Sequence, residues 1–252
     1  MATAKEIKII PITAASANAL VKKVHYSGKV VPNSQIHLGV LFNGKLEGAM
    51  QFGPSMDKSK AQRLVNGTKW NGFLELNRMA FSEALPKNSE SRAISVAMRI
   101  IKKNYPGIDW IVSFADATQC GDGTIYRASG FLLTSIRKNK EIIRLPDGSI
   151  GAKITYKKGR HILSRGGAAR LPEGCKELIG FQLRYIYFLN KDAKKRLTVP
   201  VIPFSKIKEL GADMYRGQKC AGSKAIVVPG FQSGEGGVTP TPALQSSEES
   251  NG

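Results

Sequence analysis

Alternating apolar and polar positions predict a β-hairpin near the start of the chain. The apolar runs Ile36–Phe42 and 46–52 are separated by Asn43-Gly44, two residues that tolerate the positive φ angles of a type I′ turn. Upstream of the hairpin, residues 6–13 have the composition of a first strand.

A helix is predicted between this first strand and the hairpin. Thr13 is a suitable N-cap, because its hydroxyl can accept a hydrogen bond from a free backbone N–H of the first turn. Leu20, Val21 and Val24 share one face at helical spacing, and the helix is expected to end near His25.

The middle of the chain alternates between strand and helix patterns. A strand is predicted across Phe73–Phe81, followed by a helix over about Ser89–Asn104 that Pro106-Gly107 ends. The nearly continuous apolar run 108–115 is typical of a strand that is covered on both faces. The buried stripe of the helix is predicted to consist of Ile94, Ala97, Met98 and Ile101.

Shorter elements follow the buried strand. A short helix over 124–129 is closed by Gly130, a strand follows over 131–136, and the residues 146–149 read as a turn. Together these patterns predict an α/β (α+β) fold with a mixed central sheet flanked by helices.

Positive charge is distributed unevenly along the 252 residues. The formal net charge of +19 indicates a polyanionic partner, with nucleic acid as the first candidate. Residues 151–225 hold 17 Lys or Arg against 5 Asp or Glu, with basic and apolar residues interleaved as on strands. We therefore expect a main domain over 1–150, a basic β-rich extension over 151–225 that binds double-stranded DNA, and a disordered tail over 226–252.

Composition also excludes several classes of protein. Apolar residues make up 42% of the chain, which excludes a disordered or fibrous protein. No uninterrupted apolar run reaches the roughly 18 residues of a membrane span, and the N-terminus does not resemble a signal peptide, so a cytosolic protein without membrane contacts is expected. Cys120, Cys175 and Cys220 lie far apart and are expected to be free thiols.

A polar cluster, Glu75-Leu-Asn-Arg78, interrupts the predicted strand over Phe73–Phe81. On a regular strand, Glu75 and Asn77 face one way and Arg78 the other. The cluster marks either a solvated face of an edge strand or a strand whose end opens into a cleft.

A second cluster, Asn88-Ser-Glu-Ser-Arg-Ala93, begins the long helix. Small polar side chains can cap the free backbone N–H groups there, and the same N–H groups can bind a phosphate. Arg92 opposes the helix dipole in the first turn, a cost that an anionic ligand would offset.

Two further candidates lie at the ends of predicted elements. Asp116 directly follows the buried strand, where ligands collect in open α/β sheets, although an Asx turn or a helix cap would also explain it. His25, followed by Tyr26-Ser27, ends the first helix and is either structural or catalytic.

The segment Tyr126-Arg-Ala-Ser-Gly-Phe131 resembles the helix-to-strand junction of GNAT acyltransferases. The resemblance implies a GNAT-like catalytic domain over 1–150, with a coenzyme A pyrophosphate at the start of the helix that begins at Ser89. At the position of that superfamily's glycine-rich pyrophosphate loop, this chain has the segment Asn88-Ser-Glu-Ser-Arg92 instead. The residues expected to bind a cofactor at this place are Asn88, Ser89, Ser91 and Arg92.

Longer blocks are similar to the Mom family of phage DNA-modification proteins, which is itself regarded as GNAT-like. The resemblance covers roughly residues 20–136 and continues more weakly to about 225. The blocks are His25-Tyr-Ser27, Met50-Gln-Phe-Gly-Pro-Ser-Met-Asp57, Trp70-Asn-Gly-Phe-Leu-Glu-Leu-Asn-Arg-Met-Ala-Phe81, Asn88-Ser-Glu-Ser-Arg-Ala93 and Ser113-Phe-Ala-Asp-Ala-Thr-Gln-Cys-Gly-Asp-Gly-Thr-Ile-Tyr-Arg-Ala-Ser-Gly-Phe131.

This resemblance implies that the adenine N6-amino group of phage DNA is converted to N6-carbamoylmethyl-adenine in the host cytoplasm, which hides restriction sites. It also implies an iron ion. From the chemistry of their side chains, His25, Tyr26 and Asp116 are candidates to supply mixed nitrogen and oxygen ligands to it. The catalytic residues that the resemblance implies are His25, Tyr26, Arg78, Ser91, Asp116 and Tyr126.

The chemistry of such a reaction sets further requirements. The exocyclic amine of adenine is a poor nucleophile, so a general base is needed, for which His25 and Asp116 are candidates. The amine is also buried in the duplex, so base flipping is expected, with Tyr26, Tyr126 or Trp70 available for stacking. Plain acyl transfer cannot join nitrogen to a CH2 group, so either an amino-acid-derived donor rearranges or an oxidative metal step activates a methyl carbon. Whether the donor is an acyl-coenzyme A or an amino-acid-derived compound stays open.

Two other functions stay open at this point. A GNAT-fold N-acetyltransferase of another amine would share the fold but form an N-acetyl product. A non-catalytic DNA-binding protein would explain the basic region alone. The sequence also leaves open whether the chain forms a homodimer.

Overall fold

The computed structural model describes residues 2–153, 171–215, 218 and 219. Much of the predicted basic extension, at 154–170, 216–217 and 220–225, and the predicted tail over 226–252 lie outside the described residues. Within the described residues, no helix has the length and apolarity that crossing a bilayer requires.

The described elements alternate between strands and helices. The strands are β1 (Lys8–Pro11), β2 (Ile36–Phe42), β3 (Lys45–Gly53), β4 (Phe73–Phe81), β5 (Trp110–Asp116), β6 (Leu132–Asn139), β7 (Ile142–Arg144), β8 (Ile150–Ala152), β9 (Lys176–Glu177), β10 (Gly180–Phe188), β11 (Met214–Tyr215) and β12 (Gln218–Lys219). The helices are α1 (Ala14–Val24), α2 (Lys58–Gln62), α3 (Ser89–Asn104), α4 (Thr124–Ala128), α5 (Lys191–Lys195) and α6 (Ser205–Glu209), with a 3-10 turn at Ala4–Glu6.

Seven strands form the central sheet in the spatial order β1-β2-β3-β4-β5-β10-β6. Neighbouring strands in this sheet are antiparallel, except that β4 and β5 run parallel. The prediction of a mixed α/β sheet with flanking helices is therefore confirmed.

Local sequence signals account for the first elements. Asn43 and Gly44 have φ angles of 49° and 75°, as the predicted type I′ turn between β2 and β3 requires. The Thr13 hydroxyl oxygen accepts a hydrogen bond from the backbone N–H of Ser16, and α1 ends at its C-cap His25. The predicted stripe of α3 is buried.

The predicted boundary at residue 150 does not divide the central sheet. Strand β10, from the region that was expected to form a separate extension, lies between β5 and β6 and is antiparallel to both. Side-chain burial along β10 does not alternate strictly, and local pattern identifies a strand but not its partners. Those partners depend on contacts between residues far apart in sequence.

Alternate residues of the central strands pack on opposite faces of the sheet. On one face, Leu74 and Leu76 of β4 join the apolar cluster that contains the buried stripe of α3. On the other face, Phe73 stacks on Trp110 with ring centroids 4.4 Å apart, in a second cluster that includes residues of α2 and α5. Both faces are therefore covered in the middle of the sheet, as the apolar run over β5 predicted.

Candidate active site

A cleft opens where the parallel strands β4 and β5 separate. Their pairing covers Phe73 to Glu75 against Trp110 to Val112, yet β4 continues to Phe81 and β5 continues to Asp116. Beyond Glu75, the two strands pair only with their outer neighbours, β3 and β10. The carboxyl ends of two central strands therefore border an open space, where ligands bind in open α/β sheets.

A β-bulge in β4 turns its side chains toward this cleft. Gln51 pairs with Arg78 and the next residue, Phe52, pairs with Leu76, so Asn77 is left without a partner on β3. A bulge of this kind redirects the side chains that follow it. The prediction that Glu75 and Arg78 point to opposite faces is wrong, because both line the cleft and their charges interact.

The cleft has a volume of about 1250 Å³, enough for a nucleobase together with a second small molecule. Five of the six predicted catalytic residues line it, namely His25, Tyr26, Arg78, Asp116 and Tyr126. The structure therefore brings together residues from α1, β4, β5 and α4 that lie up to a hundred positions apart in the sequence.

The predicted residues at the start of α3 lie outside the lining of the cleft. Among the described residues of that helix start, Glu90 lines the cleft, whereas Asn88, Ser89, Ser91 and Arg92 do not. The Asn88 side chain makes no capping hydrogen bond, and its backbone has a φ angle of 69°. The Ser91 hydroxyl donates to the Asn88 carbonyl oxygen at 3.2 Å. A role of these four residues in binding a cofactor stays a prediction.

The ring of His25 is fixed in one tautomer by its neighbour Ser27. The backbone N–H of Ser27 donates to Nδ1 of His25 at 3.1 Å, and the Ser27 hydroxyl lies 2.8 Å from the same nitrogen. Since Nδ1 accepts a backbone hydrogen bond, the neutral ring carries its proton on Nε2. In this arrangement His25 can donate a hydrogen bond into the cleft but has no free nitrogen to act as a base.

We expect His25 to stay neutral at pH values where a histidine is normally protonated. Burial, followed by the positive charge of Arg78, lowers the pKa of His25 to about 4. Because the pKa is lower in the folded chain than in the unfolded chain, stability decreases as the pH falls from about 6.5 toward 4. An NMR titration of the ring nitrogens should show Nδ1 unprotonated at about pH 6. A titration midpoint near 6.5 would contradict this arrangement.

Tyr26 lies beside His25 at the mouth of the cleft. The two ring centroids are 4.2 Å apart, and 53% of Tyr26 is exposed, so one face of its ring is open to a ligand. Burial of its hydroxyl end, followed by the charge of Asp116, raises the pKa of Tyr26. The phenol is therefore neutral at physiological pH and can donate a hydrogen bond.

Arg78 connects β4 to the loop after α1. Its Nε donates to the Lys29 carbonyl oxygen at 2.8 Å, and its Nη1 donates to the Asn77 carbonyl oxygen at 2.6 Å. These bonds hold the guanidinium in the cleft. Burial lowers the pKa of Arg78, while the charge of the nearby Glu75 acts in the opposite direction. Arg78 therefore supplies a fixed positive charge inside the cleft.

Asp116 is held by hydrogen bonds from its own loop and from strand β6. Its carboxylate accepts from the Thr118 backbone N–H at 3.0 Å, the Gln119 side chain at 2.9 Å and the Asn139 side chain at 3.2 Å. The alternative interpretation as an Asx turn is thus the one that the structure supports. Through these hydrogen bonds, the Asp116 carboxylate anchors the loop that follows β5.

Glu75 is the acidic residue with the environment expected of a general base. It lines the cleft at the point where β4 and β5 separate. Burial raises the pKa of Glu75, while hydrogen bonds from Ser55, Asn77 and the Met56 backbone N–H and the charge of Arg78 act in the opposite direction. A carboxylate that loses part of its hydration in this way is a stronger base than an exposed one.

Tyr126 lies at the buried wall of the cleft. Only 8% of it is exposed, and its ring packs between Phe131 and Tyr185 with centroid distances of 5.4 and 5.3 Å. Burial raises the pKa of Tyr126 to about 12. The packing leaves no open ring face, so Tyr126 cannot stack on a flipped base.

The predicted iron site does not fit this geometry. In the part of the chain that the structure describes, no group of three or more His, Cys, Asp or Glu side chains is arranged to hold a metal ion. Of the predicted ligands, His25 has its Nδ1 occupied, the raised pKa of Tyr26 disfavours a phenolate, and the Asp116 carboxylate already accepts three hydrogen bonds. The three residues share a cleft without forming a metal centre.

Sequence reasoning missed several residues of the cleft. Glu75 stood in a polar cluster on an otherwise apolar strand, a signal that was visible but left without a role. Trp70, predicted for stacking, is exposed under the Lys58 ammonium group at 4.6 Å from its ring centroid and does not line the cleft. Cleft residues from later segments include Arg137, Gln182 and Arg184, of which the last two lie in the region where the sequence showed basic and apolar residues interleaved.

Known proteins resemble this chain in sequence and in fold. The solved structure of the ribosomal-protein-S18-alanine N-acetyltransferase from Escherichia coli aligns with a TM-score of 0.41 and 12% identity, over 73% of this chain and 94% of that chain. An acetyltransferase of Bacillus subtilis in complex with CoA aligns with a TM-score of 0.40 and 13% identity, over 73% of this chain and 97% of that chain.

Sequence comparison extends over most of the chain. The model of the Mom protein family matches residues 6–206. Methylcarbamoylase mom of Escherichia phage Mu is 37% identical over 195 residues, which cover 77% of this chain and 80% of that protein. Because the match includes the cleft as well as strand β10, the chain belongs to the Mom protein family, as the sequence blocks predicted.

Proposed function

We propose that this chain is a phage DNA-modification enzyme that converts the N6-amino group of adenine to the carbamoylmethyl-amino group. Membership of the Mom family and the name of the phage Mu relative, a methylcarbamoylase, support a transferase of this type. The single observation that carries the proposal is the cleft between β4 and β5, which combines a partly buried carboxylate, a fixed guanidinium and an open aromatic ring.

Glu75 is the general base in this proposal. The N6 lone pair is delocalised into the adenine ring, so attack on carbon requires that a proton leave N6 as the new bond forms. Nitrogen attacks a CH2 carbon of the donor that carries a carboxamide and a leaving group; the C–N bond forms, and the leaving group departs with the bonding electrons. The N6 proton moves to the Glu75 carboxylate. His25 and Asp116, the bases that the sequence suggested, are engaged through Nδ1 and both carboxylate oxygens.

His25, Tyr26 and Arg78 position the reactants in this scheme. The Nε2–H group of His25 and the guanidinium of Arg78 are donors that can bind the carboxamide oxygen of the donor molecule. The exposed ring of Tyr26 offers a stacking surface for adenine at the mouth of the cleft. Because N6 is not reachable inside a duplex, the target base must leave the stack before it meets these groups.

The pH dependence of the reaction rate should follow the ionisation of the Glu75 carboxyl group. A base must be ionised to act, and burial raises the pKa of Glu75 above its ordinary value of 4.5. The rate should therefore rise with pH along a limb whose midpoint lies above 4.5, while His25 stays neutral throughout. Rates of adenine modification measured from about pH 4 to 8 would show this limb, because the measurement then begins below 4.5. A rate that is constant over this range, or one that falls with pH, would contradict the assignment.

Mass spectrometry of nucleosides tests the function directly. DNA from cells that express the full chain is digested, and modified deoxyadenosine is sought with the mass of an added carbamoylmethyl group. An added acetyl group would instead favour an N-acetyltransferase, and unmodified DNA together with tight binding would favour a non-catalytic DNA-binding protein. We expect the carbamoylmethyl product from the native chain and its loss in the variant His25→Ala, because the donor loses a hydrogen-bonding group.

A further inference from the structure

One face of the sheet stays open beside the cleft, on strands β5, β10 and β6. Cross-strand pairing places Phe114, Arg184 and Ser135 in one row and Asp116, Gln182 and Arg137 in the next. The alternate residues Leu183 and Tyr185 are fully buried on the other face. The side chains of the two rows therefore share the uncovered face.

The two arginines of this face are close neighbours. Arg184 pairs with Ser135 and Arg137 pairs with Gln182, so the arginines occupy diagonal positions on adjacent strands, roughly 7 to 8 Å apart at the backbone. Arg184 is held in place, since its Nε donates to the Thr134 hydroxyl at 3.0 Å and its Nη2 donates to the Thr134 carbonyl oxygen at 3.1 Å. Burial, followed by the charge of Arg137, lowers the pKa of Arg184.

Some of the other basic residues of the same region are paired with acidic side chains. Lys195, Arg196 and Lys206 form ion pairs with Asp192, Asp109 and Glu209. Neither Arg137 nor Arg184 forms an ion pair with an acidic side chain of the described residues. Two like charges that lie this close without a counterion favour binding of an anion between or across them.

The face also offers an aromatic side chain and a direct path to the cleft. Phe114 lies opposite Arg184 in the same row and is 36% exposed. A small cavity of about 40 Å³ on this face is lined by Phe114, Ser135, Arg137, Gln182 and Arg184, four of which also line the main cleft. An exposed aromatic ring beside paired cations is the pattern with which proteins hold an unpaired nucleotide.

We infer that the open face of β5, β10 and β6 is a phosphodiester subsite, in which Arg137 and Arg184 bind the backbone of the target strand and Phe114 contacts an unpaired base next to the flipped adenine. This inference rests on the proposed function. The DNA backbone that is bound on this face directs the flipped base into the cleft. Tyr26 and Glu75 line the part of the cleft next to β4. DNA phosphates are favoured over the anionic part of a small donor because the face is shallow, open to solvent and continuous with the mouth of the cleft.

A salt-dependence measurement tests the arginine pair. The variant Arg137→Gln/Arg184→Gln is compared with the native chain by fluorescence anisotropy of a labelled duplex, from about 50 to 200 mM salt and without any donor. The slope of log affinity against log salt should fall by about 1.8, and the affinity should drop roughly tenfold or more at the lower salt concentration. The matched control Lys102→Gln/Lys103→Gln removes the same charge from the exposed end of α3, and its slope should stay near that of the native chain.

The possible results separate the inference from the proposed function. If the arginine variant binds DNA as the control variant does, the face does not bind phosphates, whether or not nucleoside analysis detects modified adenine. A site for the anionic part of a donor would also leave DNA binding unchanged, and would overturn the inference. If the native chain modifies no adenine but the arginine variant selectively loses DNA affinity, the subsite stands and the proposed reaction fails.

Two single variants keep the test valid if the double variant does not fold. Arg137 is exposed, so Arg137→Gln should leave the fold intact and lower the salt slope by about 0.9. Phe114→Ala should weaken binding to DNA with unpaired bases without changing the salt slope, because it removes stacking and no charge. An unchanged slope in the first variant would contradict the arginine assignment, and unchanged affinity in the second would contradict the role of Phe114.

Discussion

Glu75→Gln should lower the rate of adenine modification by about 10² to 10⁴, the range that loss of a general base typically produces. Glutamine has nearly the same shape and can keep hydrogen bonds to Ser55 and Asn77, so the fold and DNA binding should be retained. The measurement is a single-turnover rate of product formation on a DNA oligonucleotide, with anisotropy to verify binding.

The control for this substitution is Glu83→Gln, the same chemical change at an exposed residue that does not line the cleft. It should keep the native rate. If Glu75→Gln keeps more than about a tenth of the native rate, another group removes the proton and Glu75 serves only to position Arg78. A loss of DNA binding by Glu75→Gln would show that the residue acts before the chemical step.

Gly123→Ala should destabilise the chain far more than an ordinary glycine substitution. Gly123 has a φ angle of +85°, and an added Cβ would lie 2.5 Å from Cε2 of Tyr185. That ring cannot move away, because it is fully buried and its hydroxyl donates to the Asp122 carbonyl oxygen. We expect the free energy of unfolding to fall by about 1 kcal/mol because of the left-handed backbone. The steric overlap should lower it by about 1 to 3 kcal/mol more.

Gly148→Ala separates these two contributions. Gly148 has a φ angle of +82°, but an added Cβ would meet no atom within 4 Å, so only the backbone term applies. In urea or thermal unfolding, Gly123→Ala should therefore lower the free energy of unfolding by about 1 to 3 kcal/mol more than Gly148→Ala does. Equal losses for the two variants would mean that the loop before α4 moves away from Tyr185 at no cost.

The sequence predicted those elements whose stability depends on neighbouring residues. The turn at Asn43-Gly44 needs two positive φ angles, and the cap at Thr13 needs one hydroxyl oxygen, so few residues at each place determine the structure. The burial of one stripe of α3 follows from spacing alone. The family blocks also identified residues such as His25 and Arg78 that do meet in one cleft.

Roles within the cleft could not be predicted in the same way. Whether Asp116 is a base or a loop anchor depends on the donors around it, one of which, Asn139, is on a different strand. The tautomer of His25 depends on a backbone N–H whose direction follows from the loop after α1. Glu75 and Arg78 line the same cleft only because a bulge at Asn77 breaks the alternation of β4.

By itself, the sequence determined the order of helices and strands, the faces that they bury and the large positive charge. These are properties of spacing and composition, which act within a few residues. Only the tertiary structure decided that β10 lies between β5 and β6, that β4 and β5 separate after three paired residues, and that Arg137 and Arg184 meet beside the cleft. The reason is that strand pairing joins segments far apart in the chain, and local patterns specify which face a strand buries but not which strand it joins.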